Sequence, residues 1–467
     1  MSEEERVRTW LARKERTEAE FMASTPIIDW YEEDESDKYP IRSIFELFGP
    51  KFLEDNQVSP AVRKAIHDIA DCKTGALGYD VSYCPTCHTA TIHACSCKNR
   101  FCPNCQQAEE KLWIDQRRSE MVPGVAAYHV VFTIPSELYP LAYANQKLVY
   151  GMMFRAVNET VCDLFQDKKF GGFKPGIISV LHTWKQTLGY HPHIHCIITG
   201  GGLTQVGQFV EGQHKGFLIP QNVLAAGFAY RLCSGLREAY NDSWLRNPGD
   251  AGRKKPKYAH GEMVLPTIEQ GAGMPVLDLN DPKQWYTYCS RLEHTKWVVN
   301  IRETFNGHGD AIQYLARYIY RTAISNARIK SYTYDSLTRE GTVTFTYKDY
   351  ADENRIKETT VSGAEFLSRF VMHLLPKGFC RVRYGGYLAN SVKVKNLKRI
   401  AQLRNTIFTV SIAKAQGKLA ALVFIFKKDF TVCPVCNTKM NHFPRINQAL
   451  LRRKQQREKG WAKDEVA

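Results

Sequence analysis

The sequence predicts an α+β protein of several domains, and three observations carry that reading. Short β-prone runs alternate with amphipathic helical segments along most of the chain. A dense cysteine cluster, seven residues between Cys72 and Cys105, interrupts the first third. One strand-like segment, HPHIHCIITGGG (191–202), carries histidines on alternate residues. At 467 residues the chain suits about two to four domains, and its 44% hydrophobic content allows a sizeable core.

The elements follow in order. Residues 1–70 read as helical and mixed in charge, with an acidic patch, YEEDESD, at 31–37. SPAVRKAIHDIADC (59–72) opens on a Ser-Pro cap signal and keeps helical periodicity. The cysteine-rich segment runs to about Gln107, and AEEKLWIDQRRSEM (108–121) leaves it as a helix that MVPG closes. AAYHVVFTIP (126–135) reads as a buried strand stopped by proline. Residues 141–165 form one long amphipathic helix, GIISVLHTWKQTL (176–188) a strand, and HIHCIITGG its partner. A helix over 222–240 precedes a Gly-, Pro- and charge-rich insertion at 246–281. KWVVNI (296–301) is strand-like and 309–324 helical. Strands return at 328–334 and 342–350, a helix follows at 363–375, and a basic helical region ends in the tail 450–467. No internal repeat is apparent. The expected domains are a helical region (1–70), a zinc-binding, DNA-binding domain (71–121), a catalytic domain (122–330) and a C-terminal α/β region with a basic tail (331–467).

Composition narrows the function. The net charge of +15 points to a polyanionic partner, either nucleic acid or an anionic membrane surface. No apolar run reaches the ~18 residues of a spanning helix. The N-terminal stretch MSEEERVRTWLARKERTEAEF lacks the apolar core of a signal peptide. The expectation is a soluble, intracellular protein, which favours nucleic acid over membrane. In such a reducing compartment, clustered cysteines read as metal ligands rather than disulfides.

Cys84-x-x-Cys87 and Cys102-x-x-Cys105 fit the two halves of one tetrahedral zinc site. Cys72, Cys95, Cys97, His88 and His93 remain for a second zinc. Lys98, Arg100 and Lys111 make the segment a candidate DNA contact. A further pair, Cys433-x-x-Cys436, stands alone, with His442 the nearest extra donor.

In a strand, His191, His193 and His195 share one face. Imidazoles with a common direction suit a transition metal, and with oxygen ligands also magnesium or manganese. Two histidines under-coordinate an ion, so a third protein ligand is expected from the preceding strand. If TLGYHP (187–192) turns the chain back, residues near 186 oppose those near 193. Gln186 or His182 then reaches the ion, and Gln186 is favoured. His191 is a supporting residue. On the helix QYLARYIYR (313–321), Tyr314 and Tyr318 stand at i and i+4, on one face. Arg317 and Arg321 repeat that spacing. Beside a metal on a basic protein, such tyrosines can attack a phosphodiester while arginines hold flanking phosphates. Two tyrosines would allow two successive strand transfers.

At these residues the chain resembles the two-tyrosine HUH transposases of rolling-circle insertion sequences, a bacterial family. The resemblance runs from about residue 40 to about 440. It rests on DCKTGALGY, CPTC, SCKNRFCPNCQ, YHVVFTIP, LHTWKQTLGYHPHIHCIITGGGL, YLARYIYRTAISN and FLSRFVMHLLPKGF, in that order. It implies an RRM-like antiparallel-sheet HUH nuclease core, with VVFTIP as a central strand and the HUH strand beside it. His193 and His195 would be the metal-binding pair, Tyr314 and Tyr318 the nucleophiles. The zinc segment would map onto Cys72, Cys84, Cys87, Cys97, Cys102 and Cys105. Phe101 stands where relatives often carry histidine, so His93 or Cys95 becomes a substitute donor. The implied cofactors are catalytic Mg2+ or Mn2+ and structural Zn2+. The implied substrates are single-stranded or extruded DNA at transposon ends and target DNA, cleaved through a 5′-phosphotyrosine. The implied place is the bacterial cytoplasm, on the nucleoid when DNA-bound. Two other readings share part of this evidence: a non-catalytic zinc-dependent DNA-binding protein, and a rolling-circle replication initiator or relaxase.

Overall fold

The computed structural model describes residues 3–23, 38–212, 219–244, 263–268, 276–302, 308–320, 322–447 and 449. The acidic patch at 31–37, most of the 246–281 insertion, Arg321 and the tail at 450–467 lie outside the described residues.

Fourteen strands are described among helices: β1 (Tyr79–Tyr83), β2 (Ala90–Ala94), β3 (Ala127–Thr133), β4 (Lys174–Trp184), β5 (Tyr190–Leu203), β6 (Phe209–Glu211), β7 (Thr267–Ile268), β8 (Leu277–Asp278), β9 (Val298–Arg302), β10 (Ile329–Tyr332), β11 (Thr342–Asp349), β12 (Arg355–Ser362), β13 (Val382–Gly386) and β14 (Asn441–Ile446). Every pairing is antiparallel. The fold is a mixed α+β one with antiparallel sheets. β12 lies in RIKETTVS, where exposed charges mask the strand character. No helix among the described residues is long and apolar enough to cross a membrane.

The chain divides into two units that interleave along the sequence. One comprises Met1–Lys111, Ile324–Ser368 and Gly417–Ala467; the other comprises Leu112–Ala323 and Arg369–Gln416.

The second unit is built on one sheet, ordered β13–β4–β5–β3–β9, with β6 also paired to β5. VVFTIP contributes β3, flanked by β5 and β9. β4 and β5 form a hairpin whose turn closes when Lys185 N–H donates to the Gly189 carbonyl at 2.8 Å. At the far end, a Cβ on Gly202 would lie 2.1 Å from the Lys174 carbonyl oxygen. Only glycine permits that approach.

Each face of the sheet is covered by helix. Phe132 of β3 meets Phe228 of helix Gln221–Trp244 edge to face, with centroids 5.3 Å apart. On the opposite face, Ile178, Val180 and Ile197 share one buried core with Ala311, Ile312, Leu315, Ala316 and Ile319 of helix His308–Tyr320. Those residues recur at i, i+3, i+4 and i+7, the spacing of one helix face. Ile197 and His195 are two apart, so the helix bearing Tyr314 covers the histidine face.

The long helix expected over 141–165 is two helices, Tyr139–Ala144 and Gln146–Gln166, interrupted at Asn145. The Asn145 amide is the physical reason. Its nitrogen donates to the carbonyls of Leu141 (3.0 Å) and Val264 (2.6 Å), and its oxygen accepts from Val264 N–H (2.7 Å). A buried asparagine paired with backbone on both sides outweighs uninterrupted helix at this point.

The first unit carries two three-stranded sheets, β14–β1–β2 and β10–β11–β12. Its helices Pro40–Asp55 and Pro60–Ala70 follow the expected punctuation: Ser59 Oγ accepts from Val62 N–H at 3.3 Å, an N-cap ahead of Pro60. Phe21, near the end of helix Glu3–Ala23, is buried in one cluster with Tyr79, Val81, Tyr83, Phe443 and Ile446. The first and last described parts of the chain thus share a core.

Leu315 is fully buried between the sheet and its helix. Leu315→Ala is expected to cost about 2–5 kcal/mol in denaturant unfolding, the range for a truncated core leucine. A loss below about 1 kcal/mol would show that this helix does not seal the histidine face.

Candidate metal centre and tyrosine helix

The hairpin register decides which side chains meet. Trp184 pairs with Tyr190, His182 with His193, and Val180 with His195. The turn is therefore centred near residue 187, and Gln186 lies within it, two residues beyond the end of β4. This corrects the expectation that residues near 186 oppose those near 193. The tight turn, with Leu188 at φ +63°, uses fewer residues than that expectation assumed. The imidazole on the opposing strand is His182.

His182, His193 and His195 are all buried, with their donor atoms within 4.8 Å of one another. His193 Nε2 and His195 Nε2 are 3.0 Å apart. The other ring nitrogens are engaged. His193 Nδ1 lies 2.6 Å from the His191 carbonyl oxygen, which can only accept, so Nδ1 carries the proton. His195 Nδ1 lies 2.9 Å from His129 Nε2, with the two rings nearly parallel. In the tautomer that carries a proton on His195 Nδ1, donated to His129, both Nε2 atoms are lone pairs facing each other; in the other tautomer His195 Nε2–H donates to His193 Nε2. In the first tautomer, two bare acceptors at that distance repel unless a cation lies between them. Donors about 2.1 Å from an octahedral ion, at right angles, are about 3.0 Å apart, so the pair fits one divalent ion. Burial pushes His193 down to about 4, which keeps it neutral at physiological pH, the form a metal requires. His191 is also lowered by burial, and its Nδ1 lies 2.5 Å from the Tyr139 hydroxyl.

His129 is a site residue that the sequence alone did not reveal. It stands on β3 and braces His195, and its ring also meets the Tyr314 ring edge-on at 5.0 Å. Its only signal was a polar residue within the apolar strand AYHVVFT. Through His129 the tyrosine helix and the histidine strand are in direct contact. Arg317 and Tyr318 belong to the same helix, His308–Tyr320; their side chains, like Arg321 as a whole, lie outside the described part of the structure. The opposite edge of the site is aromatic: Tyr139 and the exposed Tyr143 both pack edge-on against Tyr190.

The cysteines form two groups. Cys72, Cys97, Cys102 and Cys105 make one, and Cys84 and Cys87 lie with Cys433 and Cys436 in the other. The expected joining of the Cys84 and Cys102 knuckles is thereby corrected. Cys84–Thr89 is the turn of the β1–β2 hairpin, whereas Cys95–Cys105 follow from its other end. Five paired residues at ~3.4 Å each hold the two knuckles apart. In the first group, the sulfurs of Cys97 and Cys105 are 3.8 Å apart, and backbone N–H groups donate to Cys72, Cys97 and Cys102. Hydrogen bonding from Cys102 holds the Cys105 thiol below its ordinary range. These are features of a thiolate zinc site. Cys95 belongs to neither group; burial, with Asp80 beside it, pushes its thiol up to about 11. His88 meets the Tyr83 hydroxyl, His442 meets Ser82, and His93 is exposed, so none joins a metal group. Nearby, Lys98 is exposed and Arg100 stacks over Phe101 at 4.8 Å.

Comparison with known proteins places the chain among transposases. A family model described as "Transposase zinc-binding domain" matches residues 44–134, and one described as "Putative transposase" (Y2_Tnp) matches residues 176–396. The chain is 33% identical to "Putative transposase y4qJ" of Sinorhizobium fredii, over 78% of this chain and 83% of that protein. It is 25% identical to "Transposase for insertion sequence element IS801" of Pseudomonas savastanoi pv. phaseolicola, over 83% of this chain and 85% of that protein. No solved structure matches the chain.

The geometry makes separable predictions for calorimetric Mn2+ binding to the zinc-loaded protein. His182→Ala and His193→Ala should abolish it. His129→Ala should weaken it about 10–100-fold, the usual effect of losing a partner that orients a ligand. Gln186→Ala should leave it within about threefold; a loss comparable to His182→Ala would restore Gln186 as a ligand.

Proposed function

The chain belongs to the two-tyrosine transposases of bacterial insertion sequences, and on that premise we propose that it cleaves and rejoins single-stranded DNA by the HUH, rolling-circle route. A transposase breaks and transfers DNA strands. What the proposal adds is the chemistry and the residues that carry it.

The observation that carries it is the contact chain Tyr314–His129–His195–His193. It sets the helix that bears Tyr314 against the sheet face on which the imidazoles converge. In the proposed step, Tyr314 Oη forms a bond to the scissile phosphorus while the P–O3′ bond breaks. The hydroxyl proton is released and the departing 3′ oxygen takes up a proton, leaving a 5′-phosphotyrosine and a free 3′-OH. Rejoining reverses these changes: a 3′-OH attacks the phosphotyrosine and the tyrosine is regenerated. No net bond energy is lost, so no nucleotide cofactor is required. Tyr318, one turn further on, performs the second transfer at the other end or at the target.

His182, His193 and His195 would hold Mg2+ or Mn2+, which when bound supplies Lewis-acid polarisation of the phosphate. Arg317 and Arg321 would grip flanking phosphates. Tyr143, Tyr190 and Tyr139 offer faces and edges on which unpaired bases can stack, which supports a single-stranded substrate. Zn2+ in the Cys72–Cys97–Cys102–Cys105 group would be structural, with Lys98 and Arg100 as DNA contacts beside it. The protein would act in the cytoplasm, on transposon ends and target DNA.

Incubation with labelled single-stranded DNA from the element's ends and Mg2+ or Mn2+ should give a labelled protein band on a denaturing gel. The band should vanish in the Tyr314→Phe, Tyr318→Phe double variant and in His193→Ala. Continued nicking by the double variant would overturn the mechanism. Zinc-dependent DNA binding with no adduct on any end sequence would favour a non-catalytic binding protein.

A further inference from the structure

The turn Cys84–Thr89 has a counterpart 349 residues later, seen in the separation of Cys87 from Cys436. The hexapeptides CPTCHT (84–89) and CPVCNT (433–438) agree at both cysteines, the proline and the threonine. This is a short repeat that spacing alone did not expose. The two also fold alike. His88 N–H donates to the Cys84 carbonyl at 3.0 Å, and Asn437 N–H to the Cys433 carbonyl at 2.9 Å. Cys84 N–H donates to Thr89 O at 2.9 Å, and Cys433 N–H to Thr438 O at 2.8 Å. His88 and Asn437 take the left-handed conformation at φ +61° and +60°, which asparagine and histidine tolerate better than most residues. Each threonine hydroxyl meets the second sulfur of its own knuckle, Thr89 with Cys87 at 3.2 Å and Thr438 with Cys436 at 3.5 Å.

The knuckles face each other. Cys84 and Cys436 sulfurs are 3.4 Å apart, Cys87 and Cys433 3.4 Å, and Cys87 and Cys436 3.5 Å. A disulfide needs about 2.05 Å and joins sulfurs in exclusive pairs, whereas Cys87 has two sulfur neighbours here. Four thiolates about 2.3 Å from zinc define a tetrahedron with edges of about 3.8 Å, close to these separations. Met440 packs against Cys84 and Cys433 on the buried side.

We propose that Cys84, Cys87, Cys433 and Cys436 bind a zinc ion of their own, separate from the Cys72–Cys97–Cys102–Cys105 site, in a ribbon assembled from two distant parts of the chain. The ribbon continues into the sheet. β14, just beyond the second knuckle, pairs with β1, just before the first, from Tyr83↔Asn441 to Tyr79↔Ile446. Phe443 and Ile446 then enter the core with Tyr79 and Val81. Half the ligands lie far outside residues 44–134, the reach of the zinc-binding family model. The ion fastens the segment around 433–446 to the zinc-binding region, and its binding energy offsets the closure of a 346-residue loop, whose entropic cost rises only slowly with length.

Metal analysis of the full-length protein tests this directly. The native chain should hold two zinc ions, and Cys433→Ser/Cys436→Ser one. Two zincs in that variant, or one in the native chain with none lost on mutation, would overturn the proposal. Cys436→His offers a variant that keeps a donor at the site. With Co2+ in place of zinc it should retain two ions and shift the visible bands of one from a four-sulfur to a three-sulfur, one-nitrogen pattern. A spectrum identical to the native one would also overturn the proposal.

Discussion

The register of the β4–β5 hairpin is the constraint on which the site depends. Side chains alternate along a strand, so a slip of one residue would exchange faces. It would turn His193 and His195 towards the helix that packs on Phe132 and bring Ile194 and Cys196 under the tyrosine helix. Three features pin the register. The turn closes at Lys185–Gly189, Gly202 admits the Lys174 carbonyl, and Ile178, Val180 and Ile197 are locked into the core beneath Leu315. The apolar contacts thus fix where the imidazoles go. Hydrogen bonds with the His191 carbonyl and the His129 ring then settle how each ring is turned.

What the sequence made legible was local. The period-two histidines, the i, i+4 tyrosines, the Ser59 cap and the CxxC knuckles each depend on spacings of four residues or fewer. What it hid depended on where separate segments meet. His182 rather than Gln186 lies opposite His193 because the turn is tighter than its composition suggests. His129 sits on a different strand, 66 residues from the ring it supports. The two CxxC knuckles of the cysteine-rich segment look adjacent in sequence, yet a hairpin separates them, and one finds its partner near the other end of the chain. Asn145 broke a helix of sound periodicity by pairing with a loop 119 residues away.

The two kinds of metal group differ in a way that suits different work. The cysteine groups each offer four soft thiolates, enough to close a tetrahedral shell with no place for substrate. The histidine group offers three borderline nitrogens on one side of a sheet. Three protein donors leave positions open for oxygen ligands, which is what a phosphodiester supplies. On the proposed function, the cysteine groups would carry zinc as a permanent part of the fold and the histidine group a more exchangeable ion where bonds are broken. Donor type and number, rather than the presence of a metal as such, separate the two roles.

The pairing of β14 with β1 also bears on the order in which the protein can be made. A ribosome delivers β1 and β2 early and β14 among the last strands. Until then β1, which ends as the middle strand of its sheet, presents an open edge with unpaired backbone groups. The whole of the histidine sheet emerges in the interval and can form without waiting. The region nearest the start of the chain is thus among the last to be finished. A message cut short near its end would release a protein able to complete its histidine sheet, but with the sheet beside its zinc-binding cysteines left unpaired.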